Sequence, residues 1–426
     1  MRSIRNRSPW AILIVVTALI VGCGRSKPPQ PAGGAGPATS PDKAPVIGRA
    51  TPAEITEEEA LQFAGSLQRA CEQGDQAAFG RLVNWESIVA TALEGLGASD
   101  KAKSEMMKGA LSGIRKPGGA EAALLAEIQR GEYRALRVID AKDHKKVLFR
   151  LKPARGGVNY HEFLLDRDPS GQVRAREFFV YLTGEPMSAT LRRGFLPLVA
   201  QQSRGVLERL RGSESAYVKN IDKLIAMNQG LVQKQPAETL ATYATLPPEV
   251  QREKNVLILR MTAAQAVSEE EYTKAMADLR ANYPKDAGVD FISTDYFLMK
   301  GQFDEALGCV DRLDTAIGGD AYLDVLRANI EIQAHRFDRA QARIESAKDR
   351  EPDLVDAYLS ALELAVAEKD NQAAVRHLEE LRKRFQFHFA ELSAQPQYAD
   401  LVGSPEYKAW RRTLGPDEMD GPPPGP

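Results

Sequence analysis

Few side chains in this sequence stand at spacings that could support catalysis or metal binding. His161 and Glu162 are adjacent, but a strand sends neighbouring side chains to opposite faces, and no second histidine follows at the spacing of a zinc-protease helix. The sequence also lacks a recognisable Ser/His/Asp or Cys/His set, a glycine-rich phosphate loop and a Cys-x-x-Cys pair. We therefore predict no catalytic residue, no metal site, no cofactor and no enzymatic activity. His161 is expected to be a hydrogen-bonded core histidine beside Phe163 and Leu165.

The Cys23 thiol is the side chain that the sequence most clearly marks for covalent modification. It follows a basic head containing Arg2, Arg5 and Arg7 and an apolar run over residues 11–21. This is the layout of a signal peptide. An apolar helix of this length spans about 16 Å, far short of a hydrocarbon core of about 30 Å. A membrane-spanning helix is therefore not expected here.

The residues Ile20-Val21-Gly22-Cys23 resemble the lipobox of bacterial lipoproteins. The resemblance implies removal of residues 1–22, a diacylglycerol thioether on Cys23, and acylation of its new amino group by a fatty acid such as palmitate. Two or more acyl chains hold a protein stably on a bilayer. Gly24 replaces the Asp that would retain the protein at the inner membrane, which implies the periplasmic face of the outer membrane. The alternative is an ordinary secretory signal that contains a cysteine.

Length and composition predict a multidomain globular protein. The 426 residues are 43% hydrophobic and 27% charged, which is ordinary for a chain that buries a core. Residues 23–52 are rich in Pro, Gly and Ala and predict an extended linker after the lipidated cysteine, while residues 415–426 predict a disordered tail. Cys71 and Cys309 are expected to be small buried side chains rather than a disulfide.

Residues 53–212 are predicted to form an α+β domain. Thr56 and Glu59 have the spacing of a capping box, and helical periodicity continues in segments to residue 130. Short turns then separate runs of alternating character, which predicts an antiparallel meander. The predicted strands cover 133–139, 146–151, 158–165 and 173–182. Helices followed by a curved meander resemble the NTF2-like (cystatin-like) α+β group, and that resemblance implies a pocket for a small molecule or lipid.

Residues 213–414 are predicted to form an all-α domain of repeats. Gly301–Ala306 and His335–Ala340 share Phe-Asp-x-Ala at a separation of 34 residues, and Ala374 continues the period. Tyr272 and Ala275 form a candidate at shorter spacing. The period and the Phe-x-x-Ala pattern resemble the tetratricopeptide repeat, although the tryptophan and glycine of that family are missing. The resemblance covers about residues 255–385 and implies an α-α superhelix.

Charge is distributed unevenly between the two predicted domains. The net charge is +3 for residues 53–212 and −11 for residues 213–426. An acidic surface repels nucleic acid and anionic headgroups, so no nucleic-acid partner is expected. Such a surface attracts basic segments of proteins, or serves only to keep the protein soluble.

A long repeat surface suits an extended peptide partner better than a reaction site. The candidate partner-binding residues are polar residues of first helices that lie away from the apolar stripe, and the alternative is that they are ordinary solvated positions. They are Asp290, Thr294, Asp324, Arg327 and Glu331. The sequence thus predicts a lipid-anchored cell-envelope scaffold or adaptor that binds protein through its repeats. The alternative function is small-molecule or lipid binding in the α+β domain.

Overall fold

A computed structural model describes residues 54–96, 98–142, 144–154, 156–202, 213–387, 389, 392 and 395–414. The predicted signal peptide, Cys23, the linker and the tail at 415–426 lie outside the described residues. Contacts divide the described chain into two compact units. The sheet unit contains the chain up to Val180 and Glu185–Gln251, and the C-terminal unit contains Tyr181–Gly184 and the chain from Arg252 onward. The domain boundary at residues 212 and 213 stays a prediction.

The sheet unit begins with helices whose ends are set by short-range hydrogen bonds. The Thr56 side chain accepts from the Glu59 amide at 3.2 Å, and the Glu59 carboxylate accepts from the Thr56 amide at 2.9 Å, which confirms the predicted capping box. Gly74 ends the first helix at a φ of 62°, and Asp75 caps the second. These helices are α1 (Glu57–Gln73), α2 (Gln76–Leu82), α3 (Trp85–Leu93), α4 (Asp100–Arg115) and α5 (Ala120–Gln129).

An antiparallel sheet follows, with its strands in sequence order. This confirms the predicted meander, and a two-residue fifth strand that the sequence did not predict completes it. Phe163 lies between Val147 on one neighbouring strand and Phe178 on the other. The strands are β1 (Glu132–Ala141), β2 (His144–Lys152), β3 (Asn159–Arg167), β4 (Val173–Val180) and β5 (Glu185–Pro186).

The burial pattern of the sheet is only partly alternating. In β3 Asn159, His161, Phe163 and Leu165 are buried, as the alternation predicts. In β2 Leu148 and Arg150 are as fully buried as their neighbours on the opposite face. Both faces of β2 are therefore covered by protein, which is unusual for a strand that contains an arginine.

The described residues of the sheet unit end in five more helices. The sequence predicts one helix from Ser213 to about Lys234, but the structure divides it at Asn220. The Asn220 side chain donates to the Ala216 carbonyl at 2.9 Å, a local bond that competes with continued helix. These helices are α6 (Met187–Gln202), α7 (Ser213–Lys219), α8 (Ile221–Val232), α9 (Pro236–Ala244) and α10 (Pro248–Gln251).

The C-terminal unit is all helical apart from its connections, so the general plan of α+β followed by all-α is correct. Successive helices pack in pairs, each against its neighbour in the sequence. The long helices are α11 (Lys254–Val267), α12 (Glu269–Asn282), α13 (Ala287–Met299), α14 (Phe303–Ile317), α15 (Ala321–Gln333), α16 (Phe337–Arg350), α17 (Val355–Ala367) and α18 (Asn371–Phe385). A short 3₁₀ turn at Pro396–Tyr398, α19 (Ala399–Gly403) and α20 (Pro405–Arg411) follow.

Helix boundaries in this unit repeat at a constant interval. The first helices α13, α15 and α17 begin at Ala287, Ala321 and Val355, and the second helices α14, α16 and α18 begin at Phe303, Phe337 and Asn371, so both series advance by 34 residues. The connecting turns carry a left-handed residue at the same interval. These residues are Gly301, His335 and Lys369, with φ of 66°, 56° and 60°.

A buried alanine recurs in the second helix of three successive pairs. Ala306, Ala340 and Ala374 are fully buried, and the Phe337 ring packs on the cluster that contains Ala340. An alanine at this place lets two helices approach closely. Tyr272, four residues after the cap of α12, takes the place of Ala306 rather than that of Phe303.

His161 lies at the centre of the sheet unit as a satisfied core histidine, as predicted. Its Nδ1 lies 3.1 Å from the Tyr133 hydroxyl and its Nε2 lies 3.2 Å from the Asn159 amide nitrogen. The rings of Phe163 and Phe178 pack around it at centroid distances of 6.5 and 6.3 Å. Burial lowers the pKa of His161 to about 4, so the ring is neutral at neutral pH.

We predict that the sheet unit loses stability as the pH falls from 6.5 to 4. An unfolded histidine binds a proton near pH 6.5 and the folded His161 only near pH 4, so its contribution is complete above pH 6.5 and is lost below. The loss reaches roughly 3 kcal/mol. Native-state hydrogen exchange of β2 and β3, corrected for intrinsic pH effects, measures it. His161→Gln should flatten the dependence and His377→Gln should not; an unchanged dependence in His161→Gln would contradict the assignment.

Candidate partner-binding surface

The five residues selected from the sequence are buried. Their relative exposures are 8% for Asp290, 6% for Thr294, 3% for Asp324, 4% for Arg327 and 5% for Glu331. They face neighbouring parts of the C-terminal unit, so they are not solvated positions. Their part in binding a partner stays a prediction.

Asp324 is the centre of this buried set. Its carboxylate accepts from the Ser346 hydroxyl at 2.9 Å and from the guanidinium groups of Arg350 at 2.8 Å, Arg327 at 3.1 Å and Arg343 at 3.4 Å. Three of these donors belong to α16, the second helix of the same pair. A carboxylate shared by several charged donors is well compensated for its loss of water. Asp324 therefore fixes α15 against α16.

Arg327 extends the network toward the preceding helix pair. Its guanidinium contacts Asp311 at 2.7 Å and Asp314 at 3.0 Å, both on α14, in addition to Asp324. One buried cation thus faces three carboxylates. The result is a link between α14, α15 and α16 that depends on charge as well as on apolar packing.

The preceding pair repeats part of this arrangement. Asp290 occupies the same helix position as Asp324 and receives Arg312 of α14 in a two-bond contact, at 2.6 and 2.9 Å. The Thr294 hydroxyl donates to the Asp290 carbonyl at 3.3 Å, and Glu331 lies 3.5 Å from Arg336. The fourth residue of a first helix therefore holds its second helix in both pairs.

A different set of polar residues reaches the surface of the first helices. None of the first eight residues of α13, α15 or α17 is exposed, whereas the ninth is Asp295, Asn329 or Glu363. Asp295 and Glu363 are exposed and Asn329 is half-buried. We call these three residues, 34 positions apart, the ninth-position row.

Asp295 is exposed, and the pKa of its carboxyl group is raised above the ordinary value. The protein atoms crowded around its carboxyl remove part of the water and raise its pKa to about 6. Its charge in turn contributes to raising the pKa of Tyr272, chiefly a result of burial of that hydroxyl. Asp295 is therefore an exposed residue of α13 whose charge changes near pH 6.

The other two members of the row are held by neighbouring residues. The Ser360 hydroxyl of α17 donates to the Asn329 side-chain oxygen of α15 at 2.7 Å, which orients the Asn329 amide. Burial and, after it, the charge of Glu363 raise the pKa of Tyr398 to about 12. The row therefore presents two carboxylates with an amide between them.

The row is not evident from the apolar pattern of the sequence, because that pattern indicates only one covered stripe on each first helix. In the structure α13, α15 and α17 are covered on almost every side, so polar residues away from the stripe meet other helices. Charged side chains at the fourth position then form ion pairs inside the unit. The periodicity could have found the row, because counting 34 residues from Asp295 reaches Asn329 and then Glu363.

The other predicted sites have less geometric support. Among the described residues no group of three His, Cys, Asp or Glu side chains is placed to hold a metal ion. On the sheet, the buried Tyr133 and Phe149 rings stack at a centroid distance of 4.9 Å, and Phe149 meets the buried Phe163 ring edge to face at 5.4 Å. These rings fill the space beside His161, and the pocket of the α+β domain stays a prediction.

Cys71 and Cys309 are buried free thiols, as predicted.

Neither the protein-family models nor the curated proteins compared with this chain give a match. In the part of the chain that the structure describes, every helix is too short or too polar to cross a membrane.

We predict that Asp324→Ala destabilises the C-terminal unit by roughly 3 kcal/mol, because it leaves the buried Arg327 guanidinium with less compensation. Native-state hydrogen exchange of α15 and α16 measures the loss. Asp338→Ala, which removes an exposed carboxylate from α16, is the matched control and should change stability by less than about 0.5 kcal/mol. Equal effects of the two substitutions would show that the buried network does not stabilise the helix pair.

Proposed function

We propose that this protein is a lipid-anchored scaffold of the bacterial cell envelope, and that tetratricopeptide-like repeats in its C-terminal unit bind a protein partner. The observation that carries the proposal is the ninth-position row. It repeats with the helix pairs, and it is the place where otherwise covered first helices offer polar groups to solvent.

The repeat interpretation is supported by several features that share one interval. Helix starts, left-handed turn residues and buried alanines all recur at 34 residues. That interval is the length of a tetratricopeptide repeat. Packing of α15 against α17 brings first helices of successive pairs side by side, as stacking of such repeats requires. We infer a superhelical array of which α11–α18 form the units.

The chemistry of the row selects a partner that is extended and basic. Asp295 and Glu363 are the first and last members of the row, two repeats apart in the sequence. The two carboxylates therefore suit cations at separate positions of one extended peptide. Between them the Asn329 amide can hydrogen-bond the peptide backbone. The net charge of −11 over residues 213–426 attracts the same partner.

The anchor is proposed from the sequence around Cys23. The lipobox-like Ile20-Val21-Gly22-Cys23 supports lipidation of the thiol, and Gly24 supports transport to the outer membrane. The proline-rich linker would then hold the folded units away from the bilayer. A scaffold in this position could gather a partner at the membrane surface without acting as an enzyme.

We predict that neutralising the row removes the partner. The full chain, crosslinked in its native host and purified, should recover an envelope protein. Asp295→Asn with Glu363→Gln should reduce that recovery about tenfold, because two charge contacts of about 0.7 kcal/mol each are lost. Glu305→Gln, which removes an exposed carboxylate from a second helix, is the matched control and should leave recovery unchanged.

The same experiment has a pH signature. Because the pKa of Asp295 is about 6, recovery of a basic partner should increase as the pH rises through 6 and should lose most of this dependence in Asp295→Asn. Recovery of no envelope protein by any form of the chain, or equal recovery by the double variant and the control, would refute the proposed binding surface.

We predict that Cys23→Ser releases the protein from the membrane fraction and abolishes incorporation of an alkyne-labelled palmitate, because the thiol is the proposed attachment point. Ser26→Ala, three residues away, is the control and should remain anchored and labelled. The C-terminal and sheet units should keep their circular dichroism in both variants. A Cys23→Ser protein that stays membrane-bound would exclude the lipid anchor.

A further inference from the structure

Solvent reaches the central first helix, α15, at only a few residues. Leu326, Asn329, Ile332 and Gln333 are half-buried, and every other residue of the helix is buried. Leu326 and Ile332 stand three positions before and after Asn329, so they are its neighbours on the helix surface. A peptide that lies along α15 therefore meets one polar group with an apolar side chain on either side of it.

The direction of the Asn329 amide is set by the next first helix. Ser360 of α17 is 2% exposed, and its hydroxyl donates to the Asn329 side-chain oxygen at 2.7 Å. This bond directs the oxygen of the amide toward α17. The amide nitrogen has no acceptor among the described residues, and solvent reaches it. The amide thus presents its N–H groups, rather than its oxygen, to the surface.

An outward N–H group makes the middle of the row different from its two ends. A side-chain amide nitrogen only donates hydrogen bonds, and the backbone carbonyls of an extended peptide accept them. Lysine and arginine side chains carry donors and no acceptor, so one placed against this nitrogen would lose water without gaining a partner. The carboxylates of Asp295 and Glu363 attract the same cations. Such a combination of attractive and unfavourable groups is how an interface rejects wrong partners.

We propose that Ser360 sets the specificity of the ninth-position row. By holding the Asn329 N–H groups toward the partner, it selects a segment in which basic residues flank an uncharged centre, and it rejects an uninterrupted basic run. Apolar side chains of that centre pack on Leu326 and Ile332. Ser360 acts through Asn329 and is a positioning residue. This role rests on the proposed function, in which the row binds a basic segment.

Selection of peptides from a random library displayed on phage, with the full chain in detergent as the target, tests this role. The wild-type chain should enrich peptides that carry basic residues on both sides of an uncharged centre. Lys and Arg should be depleted about tenfold at that centre, because a cation there leaves desolvated donors without an acceptor. Ser360→Ala should remove most of the depletion, because the released amide can turn its oxygen toward a cation. Asn329→Asp should reverse the depletion, because a carboxylate then faces the partner.

Ser293→Ala is the matched control for loss of a buried hydroxyl. Ser293 of α13 is fully buried, and its hydroxyl donates to the Val289 carbonyl at 2.7 Å, within its own helix. This variant should select the same peptides as the wild-type chain. An equal loss of the central depletion in Ser293→Ala and Ser360→Ala would reduce Ser360 to a structural role and overturn the proposal.

The same selection separates failure of this role from failure of the proposed function. Asp295→Asn with Glu363→Gln should lose the flanking basic residues. If the wild-type chain selects peptides without basic residues, the proposed function is refuted and the role of Ser360 with it. Flanking basic residues with Lys and Arg equally frequent at the centre, or a depletion unchanged by Ser360→Ala, would overturn the role of Ser360 alone.

Discussion

The close approach of paired helices in three pairs of the C-terminal unit depends on one small side chain in the second helix. Ala306, Ala340 and Ala374 are fully buried, and a larger side chain at these places would push the first and second helices apart. Because the alanines recur every 34 residues, the remaining equivalent positions of these helix pairs also lie in similar environments. The fourth residue of α13 and of α15 then faces the second helix, and the ninth residue is exposed in α13 and α17. The inner ion pairs and the outer row are two consequences of one register.

The buried charges show how this register is stabilised where apolar residues are absent. Asp324 and Arg327 stand where a core would usually place apolar side chains, and each is compensated by several partners. Removing one member of such a network strongly destabilises the folded protein, because it leaves a buried charge without its partner. The remaining members are satisfied only by neighbours of the opposite charge. They therefore fix which helix packs on which. The sheet unit instead buries a neutral polar group, His161, whose two nitrogens have hydrogen-bond partners within an aromatic core.

The sequence predicted most of the elements because their signals are local. Capping residues such as Thr56, turn chemistry in the meander and the spacing of apolar residues all act over a few positions. Arg150 and the fifth strand were not predictable, because burial on both faces of β2 depends on distant packing. The partner-binding candidates failed to reach the surface for the same reason. Periodicity identifies one covered face of a helix, whereas α15 is covered on nearly all sides and sends Asp324 and Arg327 inward.

The central claim is that the row of ninth residues contacts a partner in the cell envelope. A photo-crosslinking amino acid placed at Asn329 in the full chain, in its native host, tests this most directly, because it reports only what lies within a few ångströms of the row. The account predicts a specific crosslinked envelope protein from position 329 and none from position 338, which is exposed on the second helix. A crosslink from position 338 with none from position 329 would contradict it.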